Sequence, residues 1–127
     1  MFTHCFLGTN DVEKSRKFYN AIMTPLGYQA VELPDRTIFS SEAGSLIVAK
    51  PANGQAHTVS NGHTLGFRAP DYQAVDSWHE AGLANGGQNG GEPGFREDSP
   101  GNMYGAYLLD PDGNKICTFT PNTGPKG

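Results

Sequence analysis

Sliding the chain along itself by 60 positions brings its two halves into correspondence: Asp11 falls on Asp71, Phe18-Tyr19 on Trp78-His79, Ala21 on Ala81 and Gly27 on Gly87. Self-similarity at a fixed offset marks a duplicated structural unit, so the fold has to be read one unit at a time. Each half opens with a short apolar strand, Phe2–Leu7 or Thr64–Phe67, and a helix follows. In the first helix Asn10 is the expected cap, with Glu13 three residues on as in a capping box. Val12, Phe18, Tyr19, Ile22, Met23 and Leu26 make its apolar stripe, and Pro25 and Gly27 end it. The second helix starts after Pro70, turns Val75, Trp78, His79, Gly82 and Leu83 inward, and stops at Gly86-Gly87.

Strand-like pieces follow each helix: Tyr28–Leu33, Thr37–Ser40 and Ser45–Lys50 in the first half, Met103–Leu109 and Asn114–Thr120 in the second. The glycine-rich run from Gly86 to Gly94 reads as an adaptable loop. "DPDG" suits the final hairpin, because Pro111 presets φ, Asp110 can bond the backbone and Gly113 accepts positive φ. Neither half alone buries both faces of its sheet. The expected fold is therefore α+β: paired βαβββ modules forming a curved, open, barrel-like mixed sheet with the helices outside. Module one covers about 1–56 and module two about 62–121 of a single domain over 1–127. A chain of 127 residues has room for one such core.

Charge and hydropathy narrow the partners. A net charge of −4 with no Lys/Arg cluster argues against nucleic acid and anionic membranes. No apolar run approaches the roughly 20 residues that cross a bilayer. "MFTHCFLGTND" lacks the basic flank and long apolar stretch of a signal peptide. The expected address is cytoplasmic, with Cys5 and Cys117 as reduced thiols.

"THCFLGTNDVEKSRKFYNAIMTPLGY" and "YGAYLLDPDGNKI", in this order and spacing, resemble the opening strand-helix and the closing hairpin of the vicinal-oxygen-chelate superfamily. That superfamily is the glyoxalase, bleomycin-resistance and extradiol-dioxygenase group, and the resemblance covers nearly the whole chain. The fold hosts isomerases, dioxygenases, epoxide-opening transferases and non-catalytic binders, so it does not choose a reaction. Metal-dependent members take one ligand from the first strand and one from the last strand of each module. Carried over position by position, those places hold His4, Ile47, Thr64 and Cys117. One imidazole and one thiol fall short of the three protein ligands of a catalytic zinc. No cofactor is therefore expected. The alternative implied by the family is a divalent metal (Zn, Ni, Mn or Fe) held by His4, His63 and Cys117, as in a lactoylglutathione-lyase-like enzyme. Strand alternation turns His63 away from the cavity unless a bulge beside Gly62 turns it back.

The same alternation places His4, Phe6, Ile47, Ala49, Thr64, Gly66, Cys117 and Phe119 on one concave face, with Tyr104 or Tyr107 nearby. That face suits a small, largely apolar or aromatic ligand. Without a neighbouring cation, Cys117 reads as a small apolar wall rather than a nucleophile. Phe95 and Arg96, at the end of the glycine-rich run, have two readings. Arg96 either clamps a ligand carboxylate while Phe95 closes over it, or pairs with Glu92, Glu97 and Asp98. Cys5 and His79 are expected in the core and His57 in solvent. Asp110, Asp112 and Asn114 are accounted for by the turn. No serine-nucleophile elbow, P-loop or dinucleotide fingerprint is present. A homodimer is among the arrangements the resemblance implies, since modules of this fold pair within or between chains.

Overall fold

Two aspartates 60 positions apart start the two helices. In the computed structural model, which describes residues 1–127, helix α1 spans Val12–Met23 and helix α2 spans Tyr72–Ala84. The backbone N–H of Lys14 donates to the Asp11 carboxylate at 3.0 Å, and that of Ala74 donates to Asp71 at 2.8 Å. Asp11, not Asn10, is thus the first cap. The reason is that Asn10 is engaged elsewhere: its Oδ1 accepts from the His57 backbone N–H at 2.7 Å. Glu13 pairs with Arg16 at 3.0 Å instead of closing a capping box. Past the helix ends, Gly27 and Gly86 take positive φ, where a side chain would be strained.

Eight strands complete the chain. Module one contributes β1 (His4–Gly8), β2 (Ala30–Leu33), β3 (Arg36–Ser41) and β4 (Gly44–Ala49), and module two contributes β5 (Leu65–Arg68), β6 (Gln88–Phe95), β7 (Tyr104–Leu109) and β8 (Lys115–Thr120). They form two four-stranded mixed sheets, ordered β1-β4-β3-β2 and β5-β8-β7-β6. In each sheet the first strand runs parallel to the fourth, and the remaining pairs are antiparallel. The paired βαβββ reading describes this architecture, and neither sheet closes into a barrel.

The glycine-rich run is a strand, not a loop. β6 pairs with β7 along Gln88–Phe95, with register shifts between Asn89 and Gly91 and between Gly91 and Gly94. Glycine carries no side chain to show period-2 alternation, so only the partner strand reveals the pairing.

One cluster of 17 buried residues draws on both modules, including Leu7, Phe18, Tyr19 and Ile22 from the first and Val75, Trp78, Leu108 and Ile116 from the second. α1 packs on α2 across it. Side chains of this size each stabilise the fold by about 1.5–3 kcal/mol when fully buried. A polar bridge reinforces the junction: the Tyr19 hydroxyl donates to Asp110 at 2.6 Å, both groups being buried. No helix is long and apolar enough to cross a membrane.

Candidate ligand-binding site

Strand register shows what the duplication did to the open faces of the sheets. In module one, Phe6 pairs with Ile47, Ile47 with Ile38, and Ile38 with Val31. The matching row of module two runs Gly66, Cys117, Tyr107 and Gly91. Bulky apolar positions in one module are glycine, thiol and tyrosine in the other.

β1 and β5 are end strands of their sheets, each hydrogen-bonded on one side only. Between them runs a groove of about 240 Å³. Its apolar wall is made by Met23, Tyr28, Phe39, Leu46, Leu65 and Phe67, and it also carries the exposed His4 and Arg68. Alternation along β1 explains His4: Cys5 and Leu7 pack against the core, which leaves His4 and Phe6 on the opposite, exposed side. Along β5, Leu65 and Phe67 pack inward while Gly66 and Arg68 are exposed. The thiol of Cys117 lies beside Gly66, where a Cβ would come within 3.1 Å of the sulfur.

Of the residues expected on one concave face, only His4 and Gly66 line this groove. Phe6 and Ala49 border a different, polar cleft with Asp35, Arg36 and Lys50. Thr64 precedes β5 and is exposed. Tyr107 and Phe119 do meet, edge to face, with ring centroids 5.7 Å apart. Tyr104 lies on the helix side instead, its hydroxyl donating to Asp76 of α2 at 2.6 Å. Phe95 stays with it, its ring 5.1 Å from Tyr104 and 5.5 Å from Tyr72. Arg96 forms none of the expected ion pairs. Its guanidinium donates to the carbonyls of Glu92 at 2.7 Å and Gly94 at 3.0 Å, and lies 5.8 Å from the Tyr107 ring centre. Met23, Tyr28, Phe39, Leu65, Phe67 and Arg68 line the groove although the sequence reading did not assign them to the site. For Arg68 a signal existed, since extending the strand by one residue beyond Phe67 puts it on the face of Gly66.

The donor set does not fit the metal that the family implies. Nowhere do three His, Cys, Asp or Glu side chains come together as a metal site. His4 Nδ1 shares a 2.8 Å hydrogen bond with the Thr3 hydroxyl. Ile47 offers no lone pair. His63 is exposed in the turn before β5, with its backbone N–H on the Ser60 carbonyl. Burial pushes the Cys117 thiol up to about 11, so it is neither a ready thiolate ligand nor a nucleophile.

His57 is not in solvent. Its Nε2 is 2.8 Å from Asn114 Oδ1. The Asn114 amide nitrogen already donates to Gly8 O and Asp110 Oδ2, so His57 must be the donor. The ring lies so close over Gly8 that a Cβ there would sit 2.3 Å from Nδ1. The turn residues therefore do more than turn the chain: Asp110 and Asn114 join the final hairpin to α1, β1 and the connector. His79 is buried and satisfied by Asn89 at 2.9 Å.

Architecture and strand register together define a duplicated βαβββ scaffold with an open groove. The model of the Glyoxalase/Bleomycin resistance protein/Dioxygenase superfamily matches residues 2–118, and the chain belongs to that superfamily. It is similar to the crystal structure of a glyoxalase/bleomycin resistance protein from Albidiferax ferrireducens T118, with 46% identity, 94% of this chain and 98% of that chain covered, and a TM-score of 0.89. A glyoxalase-related enzyme from Fulvimarina pelagi shares the fold at 22% identity, with 100% and 92% covered and a TM-score of 0.75. Lactoylglutathione lyase from Agrobacterium tumefaciens shares it at 21% identity, with 94% and 92% covered and a TM-score of 0.64. No curated protein matches.

Proposed function

We propose that this protein binds a small, largely apolar or aromatic molecule in the groove between β1 and β5, without a metal ion. The observation that carries the reading is the groove itself: a cavity of about 240 Å³ whose walls are mainly apolar and whose polar groups are few. Chemistry at the site argues for binding over turnover. Burial holds the Cys5 thiol in the groove above its ordinary value, and His4 has no carboxylate partner to make it a general base.

The lyase reading implied by the family would need a metal to polarise vicinal oxygens, and the four inherited positions supply one imidazole and one buried thiol. Thermal melts with and without Zn²⁺, Ni²⁺, Mn²⁺ and Fe²⁺ test it. The expected result is no stabilisation by any ion. Small aromatic compounds should raise the melting temperature, by an amount equivalent to about 2.7 kcal/mol at a hundredfold excess over Kd. They should also shift the NMR signals of Tyr28, Phe39 and Phe67. A stoichiometric metal whose stabilising effect disappears in His4→Ala would overturn the proposal.

A further inference from the structure

We propose that the groove selects a small apolar acid, its carboxylate received by Arg68 and its body lying against Tyr28, Phe39 and Phe67. The inference rests on the reading of the groove as a binding site and adds the chemical class of its occupant.

Arg68 stands apart among the four arginines. Arg16 bonds Glu13, Thr37 and the carbonyls of Leu33 and Arg36. Arg36 pairs with Asp35, and Arg96 is held by the carbonyls of Glu92 and Gly94. Arg68 has no ion pair and no side-chain hydrogen bond, yet it borders the groove. Its five N–H donors form a planar fork that matches a carboxylate, whereas an isolated ammonium would be a point charge.

The groove's charge is opposite to that of the molecule. The chain has a net charge of −4, but no Asp or Glu lines the groove, and Arg68 and His4 are its only titratable nitrogen bases. A cationic spot inside an otherwise acidic protein draws an anion to that spot and repels it elsewhere. The hydroxyls of Ser40 and Ser45, 2.9 Å apart, add donors within the same groove. Size sets the other limit. At about 240 Å³ the cavity falls below the roughly 300–1,000 Å³ of sites for drug-sized ligands, so the body must be small. One guanidinium above an apolar wall matches a single negative charge on a hydrophobic body.

Isothermal titration of the full chain with phenylacetate, 3-phenylpropanoate and 4-phenylbutanoate, each beside its neutral amide, tests this. At least one acid should bind about tenfold or more tightly than its amide, as expected for a charge-assisted pair. In Arg68→Gln that preference should vanish, the acid losing more affinity than its amide. Arg68 is exposed, so the variant keeps its fold. As a second readout, the acid should slow iodoacetamide modification of Cys5, which lines the groove, in the wild type and not in Arg68→Gln. Equal binding of acids and amides, or an acid preference that survives in Arg68→Gln, would overturn the inference and leave the binding reading standing. Binding of neither series would overturn both.

Discussion

The Tyr19 hydroxyl and the Asp110 carboxylate meet at 2.6 Å across 91 positions of sequence, fastening the first helix to the last hairpin. Burial raises the Asp110 carboxyl above its ordinary value of 3.8, while hydrogen bonds from Tyr19 and Asn114 hold it down. Tyr19→Phe removes one of those donors and should cost about 1–3 kcal/mol in urea unfolding at neutral pH. The pH dependence follows from the sign of the shift. A carboxyl raised on folding is better tolerated protonated, so its contribution is complete below 3.8 and is lost as pH rises through the raised folded value. Losing the Tyr19 donor raises that value further. The cost of Tyr19→Phe should therefore be greatest at neutral pH and shrink as the pH falls towards 3.8. A cost that is flat from pH 7 to 4 would contradict this account.

His57 lies against bare backbone at Gly8, so there is no room for a methyl group between them. Gly8→Ala should destabilise by about 1–3 kcal/mol, the usual range for overpacking. His57→Ala, which removes the ring, should make a second substitution at Gly8 nearly free. A double-mutant cycle on denaturation midpoints measures the coupling. Additive costs would mean the ring does not rest there.

The two thiols should differ in rate. Cys5 is half-buried and borders the groove, whereas Cys117 is 7% exposed with its thiol pushed up to about 11. At pH 8 only about one Cys117 in a thousand is a thiolate. Mass spectrometry after timed iodoacetamide treatment should find Cys5 modified at least about tenfold faster. Faster reaction at Cys117 would mean the second sheet opens.

The chain after β8 is tied down by Tyr72, whose hydroxyl donates to the Gly124 carbonyl and accepts from the Thr123 N–H, both at 2.7 Å. Lys126 adds contacts to Asp76 and the Tyr104 hydroxyl, again at 2.7 Å. Tyr72→Phe should accelerate amide exchange at Thr123 and leave the exchange rates in β7 and β8 unchanged. Surface ties of this kind contribute little to global stability, so the melting temperature should move little.

What the residues revealed in advance was local. Cap aspartates, apolar stripes and strand alternation each follow from a few neighbouring side chains, and from these the paired modules could be read. The choice between Tyr104 and Tyr107 stayed open in the sequence reading, although residues three apart on a strand face opposite ways. The contacts that were not legible are those made at long range. Asn10 gives up its cap role to bond His57, 47 positions away, and nothing near either residue signals it. Phe95 and Arg96 read as loop residues because the five glycines from Gly86 to Gly94 erase the pattern that marks a strand. For the groove, the sequence supplied His4 and Gly66. Its apolar wall consists of residues already assigned to helix α1 or to strands, and their second role depends on where two sheet edges meet.

The parallel ladders of the two halves match, yet their side chains do not: where one half carries Phe6, the other carries Gly66. A chimera with the first strand written twice would keep every ladder partner and bring a benzyl group against Cys117. The molecule's vacant space is thus held open by a missing side chain, and a single added ring at position 66 would be its stopper.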